Sequence, residues 1–141
     1  MYDSFLTACR AAVGPGHVLT DVAETSRFAH DFWNQYKGRA AAVLRPGSTD
    51  EVAALMALAS HHGVPVVPQA GNTGLVNGGI PDAEGRTVVL SVERLNRIRD
   101  IDPAGDYLVA EAGCILDDVQ AAAAGAGRLF PLAMGSSGSC R

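Results

Sequence analysis

The sequence predicts an α/β fold in which a small parallel βαβ unit is followed by a more mixed sheet. Three observations carry this. Residues 40–44 and 64–68 are short apolar runs with strand character, and residues 49–62 between them repeat apolar side chains at helical spacing. Strand, long crossover and strand make a parallel unit with a right-handed connection. Downstream, residues 98–101 and 107–112 flank Asp102-Pro103-Ala104-Gly105-Asp106, a turn by composition, so this part is expected to be a hairpin.

Taken in order, residues 3–12 read as a helix because Phe5, Ala8, Cys9 and Ala12 share one face, with Asp3 as its cap and Gly14-Pro15-Gly16 as its end. Val18 and Leu19 read as a short extended piece. Residues 24–38 leave two readings open. Phe28, Phe32 and Tyr36 suit a helical stripe, and the stretch also suits an ordered loop. Trp33 is expected to pack in the core or at its edge. Residues 1–38 are thus a lead-in to a domain over 39–141. Ser48-Thr49-Asp50-Glu51 has capping-box spacing, and Val52, Leu55, Met56 and Ala59 follow on one face. The Ala-rich opposite side implies that neighbours cover most of this helix. His61 and His62 read as capping or solvated residues before Gly63, the expected left-handed stop. Residues 87–91 read as a strand. Residues 116–124 read as a helix with Leu116, Val119 and Ala123 on one face and Asp117 and Asp118 solvated at its positive end. Residues 129–132 are expected to return the chain inward.

Composition narrows the function. With 48% apolar residues in 141, the chain can build a core. A net charge of -4 without a Lys/Arg run argues against nucleic-acid binding. No apolar run is long enough to span a membrane, and the acid in Met1-Tyr2-Asp3-Ser4-Phe5 does not suit an export signal. Cys9, Cys114 and Cys140 are far apart in sequence and form no C-x-x-C pair, and no two of the four histidines stand at i, i+4. Neither a disulfide framework nor a metal site is expected, and a reducing cytoplasm fits.

The stretch with the most to say is Gln69-Ala70-Gly71-Asn72-Thr73-Gly74-Leu75-Val76-Asn77-Gly78-Gly79. It is either a plain glycine turn or a loop whose backbone N–H groups hold an anion. Its place after the second strand of a βαβ unit, where open α/β sheets bind ligands, favours the anion. The glycines do not give G-x-G-x-x-G, and no Gly-Lys-Ser/Thr follows, which argues against NAD and ATP modules. A second small-residue loop, Gly135-Ser136-Ser137-Gly138-Ser139-Cys140-Arg141, misses the G-x-S-x-G nucleophile elbow because Ser139 stands where glycine is needed.

These residues together resemble a known family. Residues 66–76 are similar to the pyrophosphate-binding loop of FAD-linked dehydrogenases of the vanillyl-alcohol oxidase type, in the group acting on D-2-hydroxy acids. Further likeness keeps the family's order: residues 44–52, 94–98, 112–114, and Phe130-Pro131-Leu132 running into Gly138-Ser139-Cys140. The resemblance implies a two-subdomain FAD-binding fold. It implies that Pro68, Gln69, Ala70, Gly71, Asn72, Thr73, Gly74, Leu75, Gly78 and Gly79 hold the FAD diphosphate. Pro131, Gly135, Ser136, Gly138 and Ser139 would line a second flavin segment. Ala70 stands where the family has glycine, which is tolerated if its φ is negative. No His lies in 69–79, so FAD is expected to be noncovalent. The whole enzyme would pass a hydride from the α-carbon of a 2-hydroxy acid to flavin N5, and electrons onward to a carrier protein or quinone. The family's catalytic and metal residues lie outside these 141 positions, so none is assigned. A second expectation, from another class, is a noncatalytic α/β piece that folds and pairs as a homodimer through exposed apolar surface.

Overall fold

The computed structural model describes residues 2–141. Helix α1 (Tyr2–Val13) leads into β1 (Val18–Leu19). Asp3 lies inside the first turn of α1, so it meets the helix dipole as a charge and does not act as the cap. A short helix α2 (Val22–Thr25) is capped by Asp21, whose carboxylate accepts from Ala23 N at 2.7 Å. Strand β2 (Ala42–Leu44), helix α3 (Thr49–His62) and strand β3 (Val66–Gln69) form the expected strand–helix–strand unit. Then come β4 (Val88–Ser91), the hairpin β5 (Ile98–Asp102) and β6 (Tyr107–Ala110), and helix α4 (Leu116–Gly125).

The main sheet has the order β1-β2-β4-β3. Strands β2 and β3 are parallel, as expected, but they are not neighbours, because β4 inserts between them and pairs in parallel with both. Strand β3 is therefore an edge strand. Pro68 fits there because an edge strand can lack one ladder donor. The hairpin forms a separate antiparallel sheet with an irregularity between Ile98 and Asp100.

Alternation along the strands sets the layers. Ala42, Leu44, Val88 and Leu90 face Phe5 and Cys9 of α1 and Leu55 and Ala59 of α3, whereas Val43 and Val89 face Phe28 on the other side. Phe5 is fully buried, and truncating such a phenylalanine costs about 3–5 kcal/mol. The lead-in helix thus supports the same core as the sheet. Helix α3 buries a single face. Leu55 and Ala59 are inside, while Met56 and much of the Ala-rich side are exposed, contrary to the expectation that neighbours enclose it. Its cap differs in detail from a capping box. Ser48 accepts from Glu51 N, and the Glu51 carboxylate returns to Gly47 N at 2.7 Å, one residue earlier than the usual partner. Gly63 ends the helix at φ 63°.

The region 24–38 resolves as a loop after a 3-10 turn (Ser26–Phe28), closed by a bridge between His30 and Lys37. Asp31 explains why no helical stripe forms. Its buried carboxylate accepts from Trp33 N at 3.2 Å and Tyr36 N at 2.6 Å, and Asn34 turns left-handed at φ 55°. These bonds lower the Asp31 pKa, the one to Tyr36 most. The local closure pushes the rings outward. Trp33 is 59% exposed, edge-on to Phe32, and does not pack in or beside the core. Residues 129–132 also fail to turn inward, and Leu129 is 83% exposed.

Candidate functional site

Strands β2, β3 and β4 run in parallel, so residues 45, 70 and 92 leave the same edge of the sheet. The glycine loop 70–79 sits there and lines a cavity of about 210 Å³ with Pro68, Gln69 and Ile80. Two side chains hold the loop open. Gln69, buried inside the fold, donates from its amide to Gly79 O at 2.7 Å and to Phe28 O at 3.0 Å, which ties the two ends of the loop together. Asn72 adopts φ 53° and donates to His30 O at 2.9 Å. Both side-chain amide nitrogens are engaged by the protein, so these residues shape the loop. Ala70 is not among the residues with positive φ, which is why alanine is accepted there.

The backbone of the loop stands apart from the rest of the chain. Among the described residues, no backbone or side-chain acceptor takes a hydrogen bond from an N–H of residues 70–79. Residues 74–78 are exposed, so water can meet their N–H groups, while residues 70–73 and 79 are half-buried with no protein acceptor for theirs. The glycines divide into two kinds. A Cβ at Gly71 would lie 1.9 Å from Ser139 O, so Gly71 is required by the fold. A Cβ at Gly74 or Gly78 would meet nothing within 4 Å, and neither has a positive φ. Both line the cavity, and the protein's own packing leaves room for a side chain at either.

The second predicted segment is brought to the first and used differently. Ser139 lies against Gly71. The segment folds on itself, with Ser139 N and Cys140 N donating to Ser136 O at 3.0 and 2.7 Å. Its carbonyls then cap α4. Leu116 N donates to Cys140 O at 2.9 Å and Asp117 N to Ser137 O at 3.3 Å. Ser139 thus stands against the cradle loop, and the cavity wall includes none of Ser136, Gly138 and Ser139. Gly135 is exposed and in contact with nothing that would exclude a side chain. Pro131 lies elsewhere, in a cavity of about 440 Å³ beside Tyr107, Leu108 and Phe130. Leu75 is 58% exposed and is not part of the cradle wall.

Three residues of the cradle wall were not in the predicted set: Asn77, Ile80 and Arg141. The Asn77-Gly78 pair was a readable turn signal, and Asn77 does turn left-handed at φ 64°. Arg141 has no such local signal. The electrostatics at this edge are dominated by arginines around Glu93. Arg27 holds Glu93 in two bonds of 2.9 and 3.0 Å, and Arg45 lies 3.8 Å away. Burial pushes the Glu93 pKa up, but the Arg27 bond and the charges of Arg27, Arg141 and Arg45 outweigh it, so the carboxyl lies below its ordinary range. Among the described residues, no group of His, Cys, Asp and Glu could hold a metal ion.

The other motifs that carried the resemblance are joints of the fold. Arg94 donates to Arg45 O at 2.6 Å, and Gly113 N donates to Leu95 O at 2.7 Å, which joins residues 44–52, 94–98 and 112–114. At Gly113 a Cβ would fall 2.0 Å from Val92 O.

The chain is similar to known proteins in sequence and in fold. Residues 40–141 match the family described as FAD binding domain. The chain is 34% identical over 128 residues to the mitochondrial D-2-hydroxyglutarate dehydrogenase of Arabidopsis thaliana, which covers 91% of this chain and 22% of that protein. Among solved structures, an alkyldihydroxyacetonephosphate synthase superposes with a TM-score of 0.86 at 20% identity, over 99% of this chain and 28% of its own. The isoeugenol complex of 4-ethylphenol oxidase from Gulosibacter chungangensis gives 0.77 at 27% identity, over 89% and 25%. The chain thus spans less than a third of the length of each of these proteins. It belongs to the FAD-binding domain family, with the vanillyl-alcohol oxidase-type fold and with D-2-hydroxyglutarate dehydrogenase among its relatives.

Proposed function

We propose that the cradle formed by residues 70–79 holds the diphosphate of noncovalently bound FAD, and that the whole enzyme oxidises a D-2-hydroxy acid. The observation that carries this is the row of unpartnered N–H groups beside glycines that the fold itself does not require. Unpartnered backbone donors on residues that line one cavity fit a diphosphate that stays bound, with no lysine in the loop. Pro68, Gly71, Thr73, Gly74, Gly78 and Gly79 would line the diphosphate, and Ala70 would add its N–H. Gln69 and Asn72 would keep the loop in its open shape, and Ser139 would brace it from behind through Gly71. The chemistry that FAD supplies when bound is acceptance of a hydride at N5 from the substrate α-carbon, with electrons passed on to a carrier protein or quinone. The absence of histidine from 69–79 supports noncovalent attachment.

Titration of the chain with FAD, followed by gel filtration and flavin absorbance, tests the reading. Retained flavin that is released on denaturation is expected. A colourless protein at saturating FAD overturns it. The exposed Val76 (89%) and Leu129 (83%) support a second reading, a homodimer that holds no flavin. Sedimentation of the same sample separates the two, since that reading requires a colourless dimer.

A further inference from the structure

The glycine loop contains no cation, yet its cavity has one in its wall. Arg141 lines the cradle together with Gly71, Thr73 and Gly78. Its Nε is buried and has no hydrogen-bond partner among the described residues. It does not form one of the close ion pairs at this edge, where Glu93 is taken bidentately by Arg27 with Arg45 at 3.8 Å. The Arg45 Nε is likewise buried and unpartnered. Glu93 is thus paired by Arg27 with Arg45 close by, and the charge of Arg141 reaches it from the cradle wall without an ion pair. A buried N–H donor without an acceptor is costly unless something else accepts it. An anion in the cradle would meet both needs, taking backbone N–H bonds from one side and a guanidinium from the other.

We infer that Arg141 is an anion-binding residue of the glycine cradle, supplying the charge-assisted contact to a diphosphate that the loop cannot supply itself. This inference deepens the proposed function and rests on it for the identity of the natural ligand. The chemistry needs only a diphosphate, so it can be probed without flavin. Glu93 is the neighbouring acid that keeps the arginine cluster in place, and the field of Arg141 reaches it.

Calorimetric titration with inorganic pyrophosphate, FAD and riboflavin separates the two claims. The wild-type chain is expected to bind pyrophosphate with an affinity that falls as salt rises. Arg141→Gln should weaken pyrophosphate and FAD by roughly tenfold, the size of one charge-assisted bond. Arg141→Lys should keep part of the affinity as a point charge. Riboflavin, which has no phosphate, should bind both variants as it binds the wild type. Circular dichroism checks that each variant is folded, and the Lys variant decides if the Gln variant is not. Pyrophosphate binding that depends on Arg141 without FAD binding leaves this inference standing and removes the proposed function. FAD binding that is equal in wild type and Arg141→Gln overturns the inference and leaves the proposed function standing. A wild-type chain that takes up no pyrophosphate at millimolar concentration overturns the inference whatever FAD does.

Discussion

Residues 70–79 and residues 135–141 have nearly the same composition, glycine with small polar side chains, and the fold uses them in opposite ways. In the first segment the backbone donors are free and side chains do the anchoring, through Gln69 and Asn72. In the second segment part of the backbone is engaged, through the amides of Ser139 and Cys140 and the carbonyls of Ser136, Ser137 and Cys140. Those amides close on Ser136 O, and the Ser137 and Cys140 carbonyls cap the start of α4. A glycine-rich stretch is thus ambiguous until its hydrogen bonds are accounted for. Here that accounting makes one segment a candidate ligand cradle and the other its support.

The contact between the two segments is where the comparison breaks most easily. Gly71→Val would place a branched side chain against Ser139 O, where even a Cβ falls at 1.9 Å. Overpacking of this kind costs about 1–3 kcal/mol, and it should also push the segments apart. Chemical denaturation should show the loss of stability, and FAD titration a loss of affinity beyond tenfold. Gln69→Leu comes next. It leaves Gly79 O and Phe28 O without their donor, which costs about 1–3 kcal/mol. Denaturant midpoints should fall accordingly and FAD titration should show weaker binding, while the amides of α4 stay protected from exchange.

The support side has its own handle. Glu111, with its side chain buried, takes Arg97 at 2.9 Å and Arg99 at 3.0 Å, and Arg99 also reaches Thr49 at the start of α3. The Arg97 side-chain bond, then the Arg97 backbone N–H, lowers the Glu111 pKa from 4.5 to about 2, against the effect of burial. A depressed folded pKa contributes stability that is present above the unfolded value and lost as pH falls through the folded one. Stability should therefore decline between about pH 4.5 and pH 2, and Glu111→Gln should start lower and flatten that part of the curve. Denaturant midpoints across a pH series check this. The smallest effect on stability is expected from Gly78→Ala, because a Cβ there meets nothing within 4 Å. Its midpoint should stay within about 0.5 kcal/mol of wild type, while FAD affinity falls because the methyl group enters the cradle. A Gly78→Ala protein that binds FAD normally would remove the distinction between the two kinds of glycine.

Local pattern made much of this molecule readable in advance. The faces of α1 and α4 follow from spacing alone, and Leu116, Val119 and Ala123 are buried as expected. The Ser48 cap and the Gly63 stop are written in adjacent residues. What sequence spacing cannot carry is pairing between distant segments. The insertion of β4 between β2 and β3 depends on contacts across more than twenty residues, and Pro68 was the one local hint of an edge. Trp33 lies outside the core because Asp31 closes its loop with side-chain bonds that compete with a helix. Of the predicted site, residues 68–74, 78 and 79 are brought together around one cavity, Ser139 is set behind it, and Pro131 and Leu75 fall outside. Arg141 joins them from seventy positions beyond Gly71, with nothing in its neighbours to announce it.

The central claim is that the free backbone of residues 70–79, and not that of 136–140, receives the cofactor. Amide hydrogen exchange resolved by segment, with and without saturating FAD, tests it most directly. Protection is expected to rise across residues 70–79 and to stay unchanged at Ser139 and Cys140, whose amides already have partners. Protection that rises at residues 136–140 while residues 70–79 exchange as before would contradict it.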